Sequence, residues 1–192
     1  MKIYSDYKVI GIYPGRFQLP HKGHKNTFRE LKKKCDNAYI QCTETYGGER
    51  YPFTFDERKE LLNKLLDIPY SVIFSTKSPY TADKVLNEVY CRPEDTVVIF
   101  ACGKKDWKRF KGRNDSLVDI SIAEYPLEPY SKKAYVMCFE NEVNDNNEII
   151  SATDLRDTYK QNPNIDTICK LYDKSYDYIK SNNIDNIFSK LI

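Results

Sequence analysis

Two histidines three residues apart, His21 and His24, are the only histidines among 192 residues, and they stand in a stretch rich in groups that grip anions. Gly15 offers a φ > 0 turn at which a phosphate can approach the main chain, and Arg16 a planar, bidentate donor fork. Phe17, Gln18, Leu19 and Pro20 then lead into His21, Lys22, Gly23 and His24. Residues three apart on a first helical turn share a face, so both imidazoles can serve one ligand. An imidazole, with a reference pKa of ~6.5, can donate to a phosphate oxygen neutral or charged. The chemistry open to this stretch is to bind phosphate oxygens and stabilise charge growing on them.

Two other stretches stand out, and the second shares that character. Arg50 opens a segment running through Tyr51, Pro52 and Phe53 to Thr54 and Glu57, whose spacing is that of a capping box, with Arg58 beyond as a brace. Ser151, Thr153 and Arg156 set two hydroxyls and an arginine at another helix start, where unpaired amides favour anions. A capped helix alone needs no ligand to explain it. Its occurrence in one chain with the histidine loop is what points to an anion site.

The elements that position these groups follow from periodicity. Residues 8–13 form an apolar run of buried-strand length, and Phe28 and Leu31 mark an amphipathic helix, so the histidine loop joins a strand end to a helix start. In open α/β sheets ligands bind at such junctions. Further strands are expected at 37–43, 71–75, 96–103, 118–123 and 134–139. Helices are expected from Thr54 through Leu61, Leu62, Leu65 and Leu66, over 80–90, and from 149 onward. One more carries Ile165, Ile168, Leu171, Tyr172, Tyr176 and Ile179, before a last turn with Ile184, Ile187, Phe188 and Leu191. Gly47 and Gly48 mark a flexible turn, 141–147 a surface turn, and 104–113 a basic, solvated, mobile loop rather than a nucleic-acid patch. Strands alternating with helices imply βαβ units and a mostly parallel sheet.

His21, Gly23 and His24 resemble the HxGH signature of the nucleotidyltransferase superfamily, adenylyl- and cytidylyltransferases that pass a nucleoside monophosphate to a phosphate ester. The string from Gly15 to His24 is similar to the GRFQPxHxGH loop of archaeal-type nicotinamide mononucleotide (NMN) adenylyltransferases and of the related domain fused to Nudix hydrolases, with Leu19 where that loop has proline. Residues 150–156 resemble the superfamily's ISSTxxR motif with Ala152 in place of the second serine, and 50–58 its R-x-P-F/W-(T/S)-x-x-E-R segment.

The resemblance implies a Rossmann-like α/β nucleotidyltransferase fold over 1–192, a single domain with a mostly parallel sheet flanked by helices and a C-terminal helical part from about 151. It implies adenylyl transfer, in which the NMN phosphate attacks the α-phosphorus of Mg-ATP to give NAD and pyrophosphate. Tyr13, Gly15, Arg16, Phe17, His21, Gly23, His24, Gly103, Ser151, Thr153 and Arg156 are then expected at ATP, and Arg50, Tyr80 and Asp106 at the substrates. His21, His24, Arg16, Arg50 and Arg156 carry catalysis in this reading. Tyr80 stands in for the tryptophan on which NMN-specific relatives stack the nicotinamide ring, because Trp107 lies in a different segment. Adenylyl or cytidylyl transfer to nicotinate mononucleotide, phosphopantetheine, a sugar phosphate or an alditol phosphate is the alternative, and a silent nucleotide-binding regulator is a third. A class I synthetase is set aside, since no KMSKS-like loop is present.

Composition is that of an ordinary soluble globule. The hydrophobic fraction is 41%, the charged fraction 30% and the net charge +2, which singles out neither nucleic acid nor an anionic membrane as partner. Six cysteines without a CxxC pair read as free thiols in a reducing, cytoplasmic setting. No protein metal cage is expected, and magnesium arrives with the triphosphate. Relatives are often oligomers, which leaves a homo-oligomer open.

Overall fold

The apolar run ahead of the histidine loop becomes β1 (Lys8–Gly15), central in a computed structural model that describes residues 3, 5–110, 117–140 and 151–192. Around it lie β2 (Asn37–Thr43), β3 (Ile73–Thr76), β4 (Thr96–Gly103), β5 (Leu117–Asp119) and β6 (Ala134–Phe139). Their order is β3-β2-β1-β4-β6-β5, and every pair is parallel. Parallel strands covered on both faces read as unbroken apolar runs, and β4 is buried from Thr96 to Cys102 for that reason.

The chain resolves into two compact units, each built from three segments. The first, of Met1–Gly15, Asn26–Thr43 and Val72–Asn141, contains the sheet and a short helix, α3 (Asp83–Glu88). Ile10, Ile12, Val85, Leu86, Val98, Phe100 and Val136 interlock in its core. Gly11 is required by packing: a Cβ there would lie 2.7 Å from Leu31 Cγ and 2.9 Å from Cys35 Sγ. That closeness seats the later turns of α1 (Lys22–Lys34) on β1.

The second unit, of Arg16–Lys25, Glu44–Ser71 and Glu142–Ile192, is helical. It holds the first turn of α1 together with α2 (Phe55–Leu66), α4 (Ala152–Gln161), α5 (Ile165–Tyr172), α6 (Tyr176–Ser181) and α7 (Ile184–Phe188). The Thr54–Glu57 capping box forms as its spacing implies, and Leu61, Leu62, Leu65 and Leu66 are buried. Phe188 takes the ring edges of Tyr159 and Tyr172, at 5.1 and 6.0 Å between centroids.

Several elements differ from their sequence expectation. The single helix expected from Ile165 to Ile179 is two: Asp173 adopts the left-handed conformation (φ 53) that ends α5, and Ser175 caps α6 by accepting from Tyr178 N–H. The strand expected over 118–123 closes at Asp119, because Ile120–Ile122 coils into a 3-10 turn capped by the Asp119 carboxylate. The helix expected at Tyr80 starts only at Asp83. The basic loop after β4 begins as a 3-10 helix, Lys104–Arg109, ended by buried Phe110, with Trp107 half-buried against the core. Its residues 111–113, the turn at 141–147, and residues 149 and 150 ahead of Ser151 lie outside the described residues.

All six cysteines are free thiols. Cys102 and Cys138 face each other across β4 and β6 with sulfurs 3.5 Å apart, and burial pushes the Cys102 thiol well above its ordinary range. Among the described residues no helix is long and apolar enough to cross a membrane.

Candidate active site

The loop that leaves β1 opens the second unit at Arg16. Gly15, expected to turn the chain with φ > 0, instead stays in the β1 ladder opposite Cys42, and the left-handed residue is Phe17 (φ 48). A ladder position demands extended backbone, so the turn falls two residues later. Left-handed backbone costs a residue with a Cβ ~1–2 kcal/mol. Burial of the Phe17 ring, 3% exposed and edge-on to His24 at 4.9 Å, offsets that cost.

Three side chains then hold the loop through main-chain groups. Arg58, fully buried on α2, donates Nη1–H to the Arg16 carbonyl at 2.6 Å and Nε–H to the Thr54 carbonyl at 3.0 Å. Buried Gln18 donates to the carbonyls of Thr45 and Phe53 and accepts from Phe53 N–H. Tyr172 on α5 donates its hydroxyl to the Pro20 carbonyl at 2.7 Å, and burial pushes that phenol far above its ordinary range. Buried carbonyls need such partners, so each bond also fixes the path of the chain. Arg58 is the brace its sequence position suggests. Gln18 lies inside the motif without a role legible there, and Tyr172 reads in sequence only as a core-facing helix position.

With the loop held, the histidines meet. His21 accepts from His24 N–H at 2.9 Å through its carbonyl, which starts α1, and donates its own main-chain N–H to His24 Nδ1 at 3.1 Å. An accepting Nδ1 fixes the neutral His24 ring in the tautomer protonated at Nε2. The two imidazoles are stacked, 3.8 Å between centroids and tilted by 35°. The shared face expected of two residues three apart is present, with buried Gly23 between them.

Besides Arg58, three arginines belong to the same unit. Arg16 and Arg50 both place their guanidiniums over the Tyr51 ring, at 5.1 and 5.6 Å from its centroid. Arg156 on α4 donates to the Arg50 carbonyl and to Thr153 Oγ1, each at 3.3 Å. Ser151 caps α4, accepting from Asp154 N–H and donating to the Asp154 carboxylate at 2.6 Å. The capping box of α2 is reinforced by Lys190: burial works against the charge of Glu57, but hydrogen bonds from Lys190 and Thr54 outweigh it and hold the carboxyl below its ordinary value.

The remaining expected site residues lie in the sheet unit. Burial drives the Tyr13 phenol well above its ordinary range, with Thr27 hydrogen-bonded to it and the Asp106 carboxylate near enough to add to the shift. Gly103 ends β4 opposite Phe139. Tyr80 stands edge-on to Phe110, at 5.2 Å and 82°, packed against the core.

The sequence matches the Cytidylyltransferase-like family over residues 12–190. No curated protein matches it. Among solved structures, the Plasmodium falciparum nicotinic acid mononucleotide adenylyltransferase is similar at TM-score 0.59 complexed with NaAD and 0.58 complexed with APC. Sequence identity is 14%, over 94% of this chain and 98% of that one. A bifunctional NMN adenylyltransferase/ADP ribose pyrophosphatase from Francisella tularensis, complexed with AMP and a manganese ion, gives 0.53 at 16% identity over 96% of this chain and 52% of that one. At these identities the likeness is one of fold.

Proposed function

The chain belongs to the Cytidylyltransferase-like family, a family of nucleotidyltransferases, and from that premise we propose that it is an adenylyltransferase making NAD from NMN and Mg-ATP. The observation that carries the proposal is the stacked, main-chain-locked pair His21 and His24 in one unit with Arg16, Arg50 and Arg156. It is a set of donors for phosphate oxygens, with no side chain arranged as a nucleophile.

In the reaction so read, an oxygen of the NMN phosphate forms the new bond to the α-phosphorus while the bond from that phosphorus to the β,γ-pyrophosphate breaks. The attacking group is an anion near neutral pH, so no general base is required. The protein contributes alignment and stabilisation of charge. His24 donates through Nε2–H, the tautomer that its Nδ1 contact selects, and His21 acts beside it. Arg16, Arg50 and Arg156 neutralise the triphosphate as charge moves onto the leaving pyrophosphate, with Ser151 and Thr153 at the start of α4. Tyr13, Gly103 and Asp106 are assigned to the adenosine and Tyr80 to the acceptor ring. Magnesium enters on the triphosphate as part of the substrate. A neighbour of this fold is complexed with AMP and a manganese ion. The substrates are those of a cytoplasmic enzyme.

Nicotinate mononucleotide is the second acceptor to weigh, since a neighbour of the same fold is a nicotinic acid mononucleotide adenylyltransferase. The deciding experiment offers NMN and nicotinate mononucleotide in parallel with Mg-ATP and follows dinucleotide and pyrophosphate together. NAD formed faster than its acid counterpart is the expected result. The reverse order would replace the acceptor. Pyrophosphate released only with phosphopantetheine or a sugar or alditol phosphate would keep the chemistry and discard the pyridine nucleotide. ATP binding without turnover on any acceptor would leave a regulator.

A further inference from the structure

We infer that Tyr51 is a positioning residue: its ring is the platform that holds Arg16 and Arg50 ready for a polyphosphate. Two arginines from separate segments share this one ring, at 5.1 and 5.6 Å from its centroid. Both arginines are exposed, and an exposed guanidinium on a flexible stem loses rotamer freedom when it grips an anion. A guanidinium already resting on an aromatic face has given up much of that freedom beforehand.

The platform itself is fixed. Gly47 donates its N–H to the Tyr51 carbonyl at 2.9 Å, and Tyr51 N–H reaches the Gly48 carbonyl at 3.2 Å, closing a tight loop. Gly47 (φ 118) and Gly48 (φ 67) adopt backbone that side chains oppose, although a Cβ at either would meet nothing within 4 Å. Their role is therefore the turn, not space. Gln18, two residues from Arg16, bonds both ends of the excursion at Thr45 and Phe53. Tyr51 is thereby locked to the loop that carries Arg16, and Arg156 holds the Arg50 carbonyl. Pairs of like charges repel, so two guanidiniums on one ring persist because the ring attracts each. An anion with several charged oxygens then satisfies both.

This inference rests on the phosphate-binding reading of the site, and the test separates the two. Calorimetry would measure binding of Mg-ATP and of inorganic tripolyphosphate to the wild type, Tyr51→Phe and Tyr51→Leu, beside steady-state turnover. Tripolyphosphate carries no ring, so it isolates the arginines from any stacking of Tyr51 on a base. The expected result is ~5–20-fold weaker binding of both ligands to Tyr51→Leu, near-wild-type binding by Tyr51→Phe, and a KM for ATP that rises more than kcat falls. In an Arg16→Ala/Arg50→Ala background, Tyr51→Leu should add nothing further. Unchanged tripolyphosphate affinity in Tyr51→Leu would overturn the platform while leaving the adenylyltransferase reading intact, as would an equal loss in Tyr51→Phe. Wild-type protein that binds no tripolyphosphate would overturn both. Should Tyr51→Leu fail to fold, Gly48→Ala, which loosens the same turn, must weaken tripolyphosphate binding, and an unchanged affinity there refutes the platform.

Discussion

The core of the sheet unit and the candidate site in the helical unit are held by different forces. In the sheet unit, apolar side chains from β1, β4, β6 and α3 interlock, and Leu31 and Cys35 leave no room for a Cβ at Gly11. In the helical unit, the candidate active site is held by side chains bonded to main-chain carbonyls: Arg58 to Arg16, Gln18 to Thr45 and Phe53, Tyr172 to Pro20. Apolar packing is non-directional and tolerates volume-conserving exchange, whereas a hydrogen bond fixes an atom in place. A site that must align phosphate oxygens needs the second kind of support.

If that contrast holds, a change in the site should remove activity without touching the fold. His24→Ala is expected to lower turnover by ~100-fold or more while the thermal melt stays near that of the wild type. A near-wild-type rate would remove His24 from the mechanism. A change in the sheet should do the opposite. Gly11→Ala forces a Cβ into buried Leu31 and Cys35 and is expected to cost about 1–3 kcal/mol, a Tm decrease of roughly 2–10 °C, with kcat of the folded fraction retained. An unshifted melt would mean the strand and helix part more readily than their contact implies.

The contrast sharpens at a bond that serves both ends. Tyr172→Phe deletes one hydroxyl and leaves the Pro20 carbonyl without its donor, for an expected loss of about 1 kcal/mol and a several-fold fall in kcat at unchanged fold. A melt shift with kcat intact would reduce Tyr172 to a structural bond. The smallest effect belongs to Glu57. Its carboxyl is held below the ordinary value in the folded state, so its charge stabilises the fold above the unfolded value of ~4.3 and the benefit is lost as pH falls through the folded value. Glu57→Gln should therefore melt below the wild type at neutral pH by no more than ~3 °C, and the two curves should converge once the pH lies below the folded value. A gap that widens in acid would reverse the sign of that argument.

Much of the sheet could be read beforehand. β4 occupies the segment its apolar run marks, because a strand buried on both faces is largely apolar, and β2 and β6 keep the bounds read for them. The start of α2 follows from Thr54 and Glu57 alone, a contact three residues long. The errors fall where a local signal was overruled. Asp173 breaks what periodicity joins, and a ladder position claims Gly15, leaving the left-handed turn to Phe17.

By itself, then, the sequence determined the parallel α/β order and the identity of the histidine and arginine stretches, since both depend on residues near one another in the chain. Only the tertiary structure decided how those stretches are held. The Tyr172 hydroxyl and the Pro20 carbonyl are 152 positions apart, and Arg58 and the Arg16 carbonyl 42. No periodicity records such pairs, because a side chain that bonds a distant main-chain atom answers to where the fold brings that atom and not to its own neighbours.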